Sequence, residues 1–170
     1  MEISDIKLNG IYWNKAFEGF KDIFKERKHY QLYLLATAVG IMYDKKIERF
    51  EESENEPAGS VPRNVIHNND NSRLEFLYQA AILSSKTFDF TEDERLDLAF
   101  SDNVDEKVKK YCNKWFDFLT PFANFGIKKI CETIGSTNLE TMDNLKNFLV
   151  LSAEGKNFDI NGLNDIEIYE

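Results

Sequence analysis

One segment constrains the fold more than any other. Between Tyr30 and Tyr43 the chain reads YQLYLLATAVGIMY, and these residues are apolar on nearly every side of a helix. The run is long for a strand, and its Leu, Ala and Met content favours a helix. It is shorter than the ~18 apolar residues of a membrane span. A helix that is apolar all round must be covered on every side, so the run predicts the central helix of a bundle.

Helix signals recur on both sides of this central run. Trp13, Phe17, Phe20 and Phe24 lie at spacings of four, three and four, which predicts an amphipathic helix over residues 12–28. Three Ser or Thr residues are each followed three positions later by Glu, the capping-box pattern; they are Ser72, Thr91 and Thr137. Thr120 followed by Pro121 predicts another helix start. We therefore predict an all-α fold, a single-domain bundle of about six or seven helices within residues 1–155.

Two segments depart from the helical pattern. Residues 44–71 are rich in Glu and Asn and contain Pro57 and Pro62, which predicts a long loop that is either functional or mobile. Residues 156–170 alternate apolar and polar side chains around an Asn-Gly pair. This second pattern leaves two alternatives open, a short C-terminal β-hairpin flap or an acidic tail.

The charge of the chain limits its partners. Thirty acidic residues against twenty-one Lys and Arg give a net charge of -9, which argues against a protein that coats nucleic acid. The distribution is uneven, because residues 86–106 hold eight acids and residues 107–114 hold four lysines. Lys107, Lys110 and Lys114 share one helical face and are candidate phosphate-contacting residues. A solvated helix face explains the same pattern without any ligand.

The sequence contains no recognisable catalytic, metal-binding or nucleotide-binding motif. His29 and His67 lie in different segments, and no glycine-rich phosphate loop occurs. Cys112 and Cys131 each sit in an apolar helical pattern, so we expect buried, reduced thiols. We therefore expect no catalytic residue, no metal and no cofactor. The composition and the absence of a signal peptide predict a cytoplasmic protein without membrane association.

Three sequence blocks occur in the order found in one known family. They are Leu32–Ile41 (LYLLATAVGI), Arg73–Phe76 (RLEF) and Phe122–Gly126 (FANFG). Over residues 24–134 the chain resembles small accessory proteins of bacterial DNA phosphorothioation (Dnd-type) modification systems. The resemblance implies an accessory role in a DNA-modification or phage-defence assembly, and it carries no catalytic residue over to this chain. It also implies a partner-binding interface near four residues: Arg73, Asn124, Lys128 and Lys129.

The leading hypothesis is a non-catalytic accessory subunit that binds a protein partner. Such a protein should expose an apolar patch of several hundred Å². One alternative is an acidic nucleic-acid mimic that inhibits a DNA-binding partner, which would need unpaired, regularly spaced carboxylates. A further alternative is an enzyme whose site is assembled across the fold, for which shifted pKa values around a cleft would be the sign. Direct nucleic-acid binding through the lysine stripe is the last alternative.

Overall fold

The computed structural model describes residues 4–101, 106–107 and 116–155. In chain order these residues form β1 (Ile6–Asn9), α1 (Ile11–Gly19), α2 (Lys28–Met42), β2 (Pro57–Val61), α3 (Arg63–Asn69), α4 (Arg73–Ser84), α5 (Glu92–Phe100), α6 (Thr120–Ile130), a 3₁₀ turn (Cys131–Thr133) and α7 (Asn138–Ala153). The predicted hairpin or tail at 156–170 lies outside these ranges, as does Cys112. Within them, the mostly helical fold is confirmed, and no helix is long and apolar enough to cross a membrane.

The fold is not strictly all-α, because β1 and β2 form a two-stranded antiparallel sheet that the sequence analysis did not predict. Ile6 pairs with Val61 and Leu8 with Gly59, and the side chains of Ile6, Leu8 and Val61 are buried. β1 is only four residues long, so its alternation is too short to stand out in the sequence. β2 lies within residues 44–71, the segment predicted to be a loop, and α3 follows it there.

α2 is the central helix, as its composition predicts. It packs against α6, α4, α1 and β2. Its closest neighbour is α6, and the two backbones touch at a pair of glycines. A Cβ atom on Gly40 would overlap the carbonyl group of Phe122, and one on Gly126 would overlap the carbonyl group of Ala36. Only glycine at both positions allows this separation of the two helices.

Two of the predicted helix caps form. The Thr91 side chain accepts a hydrogen bond from the Glu94 backbone N–H, and the Glu94 carboxylate accepts one from the Thr91 N–H, which completes a capping box. The Thr137 side chain caps α7 by accepting from the Glu140 N–H at 3.1 Å. The Glu140 carboxylate also accepts hydrogen bonds from the backbone N–H and the hydroxyl of Ser136.

The predicted cap at Ser72 does not form. Ser72 has a left-handed backbone with φ 62°, and its side chain makes no capping hydrogen bond. The buried Asp70 carboxylate takes this role, since both of its oxygens lie 3.2 Å from the Leu74 backbone nitrogen. The same carboxylate accepts a 2.8 Å hydrogen bond from the Tyr30 hydroxyl. Asp70 thus joins the start of α4 to the first turn of α2.

Two predicted helix boundaries are displaced. The helix predicted over residues 12–28 ends at Gly19, and turns lead from there to α2. Glycine has low helix propensity, and Ile134 packs directly against the Gly19 backbone. The predicted cap Thr120 is the first residue of α6, and its hydroxyl donates a 3.2 Å hydrogen bond to the carbonyl oxygen of Phe116.

Candidate interaction surfaces

Asn124, one of the four candidate partner-binding residues, is buried in α6. Its Oδ1 accepts a 3.1 Å hydrogen bond from Trp13 Nε1, and its Nδ2 donates a 3.1 Å hydrogen bond to the carbonyl oxygen of Ile47. Asn124 therefore joins α1, α6 and the segment after α2. Its amide serves the interior of the fold, where an unpaired Trp13 N–H would be costly.

Arg73 is the first residue of α4 and is exposed. Its Nη1 donates a 3.3 Å hydrogen bond to the carbonyl oxygen of Asn69. Nearby, burial together with the hydrogen bond from Tyr30 to Asp70 raises the pKa of Tyr30 to about 12. Lys128 and Lys129 lie together in a groove whose lining does not include Arg73. The structure therefore does not assemble the four candidate residues into one site.

Lys128 and Lys129 do lie together, in a groove between α6 and the segment that follows α2. The groove has a volume of about 510 Å³ and is lined by Asp44, Lys45, Lys46, Ile47, Thr87, Phe125, Lys128, Lys129 and Glu132. We call it the lysine groove. Lys45 and Lys46 were not identified from the sequence, because they lie in the segment predicted to be a loop and about 80 positions before Lys128.

The four lysines of this groove fall into two pairs. Lys46 forms a 3.0 Å ion pair with Glu48, and Lys129 forms one of 3.0 Å with Glu132. Lys45 and Lys128 form no ion pair with any residue in the ranges that the structure describes. Instead, the Lys45 ammonium lies 6.0 Å from the centre of the Phe125 ring, and the Lys128 ammonium lies 5.0 Å from that of Tyr12.

Of the three residues of the predicted lysine stripe, the structure describes Lys107. Lys107 forms an ion pair with Asp97, a residue of α5. Lys110 and Lys114 lie outside the described residues. A nucleic-acid mimic needs unpaired carboxylates, and this ion pair leaves it one fewer. The same ion pair gives Lys107 a carboxylate of the protein as its partner and not a phosphate.

α4 and α5 form an antiparallel helical hairpin that is joined by hydrogen bonds from side chains to backbone carbonyl groups. The Tyr78 hydroxyl donates a 3.2 Å hydrogen bond to the Leu98 carbonyl oxygen. At the other end, Arg95 Nη1 donates to the carbonyl oxygens of Ile82 at 2.6 Å and Ser85 at 2.8 Å. Its Nη2 donates to the carbonyl oxygen of Phe88 at 2.8 Å. The single guanidinium therefore holds the end of α4 and the turn that connects it to α5.

The α4–α5 hairpin carries four exposed apolar side chains. Phe76 is 67% exposed and Phe100 is 61% exposed, and Leu83 and Leu96 are exposed as well. Because the helices are antiparallel, Phe76 near the start of α4 lies at the same end of the hairpin as Phe100 at the end of α5. Leu83 and Leu96 lie in its other half. We call these four residues the hairpin surface.

Carboxylates flank the apolar residues of α5. Glu92, Asp93 and Asp97 are all exposed on this nine-residue helix. Asp93 precedes Leu96 by three positions, so the two side chains are neighbours on the helix. The hairpin surface is therefore apolar with an acidic border.

A second cleft lies between β1 and the start of α6. Its larger part has a volume of about 640 Å³, and an adjoining part has about 370 Å³. Both parts share Lys7, Glu48 and Thr120. Asp5 and Asp117 line the larger part, and Arg49 lines the smaller. The mixture of charges favours no single class of ligand.

The strongly shifted pKa values belong to interior groups. Burial raises the pKa of the Tyr33 hydroxyl and raises that of the Cys131 thiol to about 12. Neither residue lines the lysine groove or the cleft at β1. Among the residues that the structure describes, no three His, Cys, Asp or Glu side chains are grouped to hold a metal ion.

The chain was compared with known proteins at three levels. Family models, curated protein sequences and solved structures all give no match.

Proposed function

We propose that this protein is a non-catalytic interaction subunit that binds a protein partner through the hairpin surface. The observation that carries the proposal is the pair of exposed phenylalanines, Phe76 and Phe100, at one end of the α4–α5 hairpin. Burying one such side chain is worth about 1.5–3 kcal/mol. Single exposed apolar residues are common on protein surfaces, whereas contiguous apolar patches mark interaction sites, and this helix pair carries two exposed aromatic rings and two exposed leucines.

The acidic border indicates the chemistry of the partner. Glu92 and Asp93 would face basic residues around an apolar pocket, while Asp97 is already paired with Lys107. Charges at the rim of an interface mainly set association rate and specificity, while the buried aromatic residues supply affinity. A protein that itself binds DNA has a basic surface of this kind.

Assignment of the partner to a DNA-modification or phage-defence assembly rests on the resemblance described above. One structural feature connects that resemblance to the surface: Phe76 is the last residue of the Arg73–Phe76 block and is the most exposed aromatic residue among those described. The block therefore contributes directly to the proposed interface.

The nucleic-acid mimic is the less favoured function. α5 does expose several carboxylates, but Lys107 neutralises Asp97, and Leu96 and Phe100 interrupt the acidic face. A mimic gains nothing from exposed phenylalanine, because the phosphate backbone that it imitates is charged throughout.

Affinity capture from the nuclease-treated lysate of the native host, at low and high salt, tests the proposal. Three baits are compared: the wild-type chain, Phe76→Ser/Phe100→Ser, and a control that removes two exposed apolar residues from α7, Leu139→Ser/Val150→Ser. Circular dichroism checks that each bait is folded. Partners are identified by mass spectrometry, and each is then purified and its binding to the three baits measured directly.

We expect a purified partner that binds the wild-type chain and the α7 control at high salt and fails to bind the hairpin variant. Apolar contacts resist salt, whereas exposed charge pairs weaken over a Debye length of about 8 Å at physiological salt. A partner that leaves at moderate salt and binds the hairpin variant equally well would refute the proposal and favour the acidic mimic. A partner from a DNA-modification or nuclease complex would support the accessory role, and one unrelated to DNA would refute that part alone.

A further inference from the structure

We infer that the lysine groove binds a small phosphate-bearing molecule of the nucleoside monophosphate class. The groove is lined by α6, the 3₁₀ turn, the segment after α2 and Thr87 of the α4–α5 turn, and its lining contains none of the four residues of the hairpin surface. The inference therefore does not depend on the proposed function.

The charge of the groove fits one phosphate group. Four lysines against Asp44, Glu132 and the Glu48 that pairs with Lys46 leave a net charge of one positive unit at the groove, on a chain whose net charge is -9. A phosphate monoester carries about 1.5 to 2 negative charges at neutral pH.

The two carboxylates of the lining are already engaged. Asp44 accepts hydrogen bonds from the Ser85 hydroxyl at 2.5 Å and from the Lys86 backbone N–H at 2.8 Å. Glu132 pairs with Lys129. Lys45 and Lys128 are left as the two cations whose ammonium groups can turn toward an anion.

Helix electrostatics alone do not account for this arrangement. Lys128 and Lys129 lie in the last turn of α6, where positive side chains stabilise the helix dipole. That effect explains lysines on α6 but not Lys45 and Lys46, which follow α2 and reach the same groove. Convergence from two separate elements is what a binding site requires.

Phe125 supplies a surface for a base. Its ring lies in the lining of the groove and is held by the Tyr43 ring, with centroids 5.8 Å apart. Nucleobases stack on aromatic side chains without needing hydrogen bonds that read their sequence. A ligand that joins a planar base to one phosphate matches both the aromatic and the charged parts of the lining.

The size of the groove and the charge of the chain favour a mononucleotide over a nucleic-acid strand. A volume of about 510 Å³ is in the usual range for small-molecule sites. A strand would extend past the lysines along a chain whose net charge is -9, which repels its further phosphates. One phosphate and one base can be held entirely within the groove.

Isothermal titration calorimetry with the full chain tests the inference. The four common nucleoside 5′-monophosphates are titrated, together with adenosine, inorganic phosphate and a twelve-residue oligo-dT. The test variant is Lys45→Ala/Lys128→Ala. The control, Lys25→Ala/Lys146→Ala, removes the same charge from exposed lysines that do not line the groove.

We expect at least one monophosphate to bind with a Kd below about 1 mM, which is within the range of specific small-ligand sites. Adenosine, and the monophosphate with the groove variant, should each bind at least about tenfold more weakly, while the control stays within about twofold. Absence of binding by all four monophosphates would overturn the inference. Equal binding by the groove variant, or much tighter and strongly salt-dependent binding of oligo-dT, would overturn it as well.

Discussion

The contact between α2 and α6 leads to a quantitative prediction for Gly40→Ala. The new Cβ atom would lie 2.8 Å from the Cα atom of Phe122 and closer still to its carbonyl group. The obstacle is backbone, so no change of rotamer relieves it, and the two helices must move apart. Because α2 and α6 form the most extensive contact among the described elements, their separation weakens the centre of the core.

The expected net cost follows from two opposing terms. Overpacking a core costs about 1–3 kcal/mol, and a clash with rigid backbone belongs at the upper end. Alanine is better than glycine inside a helix by about 1 kcal/mol, which offsets part of this cost. We therefore expect the free energy of unfolding to fall by about 2 kcal/mol. For a chain of this length the melting temperature should fall by about 4–8 °C.

Urea denaturation followed by circular dichroism measures the change, with Gly19→Ala as the matched control. A Cβ on Gly19 would lie 2.6 Å from Ile134 Cδ1 and 2.9 Å from its Cγ1, so the obstacle there is a side chain, which can shift, and not backbone. Gly19 is the last residue of α1, so alanine gains less helix propensity there than at Gly40. Only the Gly40 variant should be substantially destabilised, and Gly19→Ala should stay within about 1 kcal/mol of the wild type. A Gly40 variant as stable as the wild type would show that the helices are not held at this separation, and the reasoning would be wrong.

Three further predictions follow from single side chains. Thr91→Ala removes a capping box and should lower the free energy of unfolding, measured by urea denaturation, by about 1 kcal/mol. Ser72→Ala should have little effect, because Ser72 makes no capping hydrogen bond, and equal losses in the two variants would contradict the assignment of caps. Burial raises the pKa of the Cys131 thiol to about 12, so almost no reactive thiolate is present at pH 8. In a Cys112→Ser background, iodoacetamide at pH 8 should therefore modify Cys131 only after the chain unfolds. Rapid labelling of the folded chain would refute the burial of Cys131. Hydrogen bonds from Ser136 lower the pKa of Glu140, so the carboxylate's contribution to stability is complete above its ordinary pKa of 4.5 and is lost as pH falls through the lowered value. Glu140→Gln should therefore reduce the pH dependence of the free energy of unfolding below pH 4.5. An unchanged dependence would exclude this role.

The parts of the fold that the sequence predicted are those determined by local patterns. The apolar run from Tyr30 to Tyr43 has only one stable placement, the centre of the bundle, and α2 occupies it. The capping box at Thr91 depends on residues within one turn. The sheet was missed because Ile6 pairs with Val61, and nothing in a four-residue strand shows that a partner lies in a distant segment rich in Glu, Pro and Asn.

The candidate surfaces were harder to predict because they depend on which helix faces remain uncovered. Leu96, Leu98 and Phe100 read alike in the sequence, yet Leu98 is buried against the core while Leu96 and Phe100 are exposed. The resemblance implies that Asn124 binds a partner, whereas in the structure its amide hydrogen-bonds Trp13 and the Ile47 carbonyl oxygen inside the fold. Lys45 and Lys128 line the same groove only because α2 and α6 pack together.

The hydrogen bonds of Arg95 affect how the hairpin surface can bind. Three backbone carbonyl groups, of Ile82, Ser85 and Phe88, converge on one planar guanidinium, an arrangement that the ammonium of lysine cannot reproduce. The turn between α4 and α5 is thereby fixed before any partner arrives. Docking then orders few backbone dihedrals, and the conformational entropy lost on association is small. The free and bound hairpins should share one conformation, so that recognition resembles the fitting of two rigid bodies.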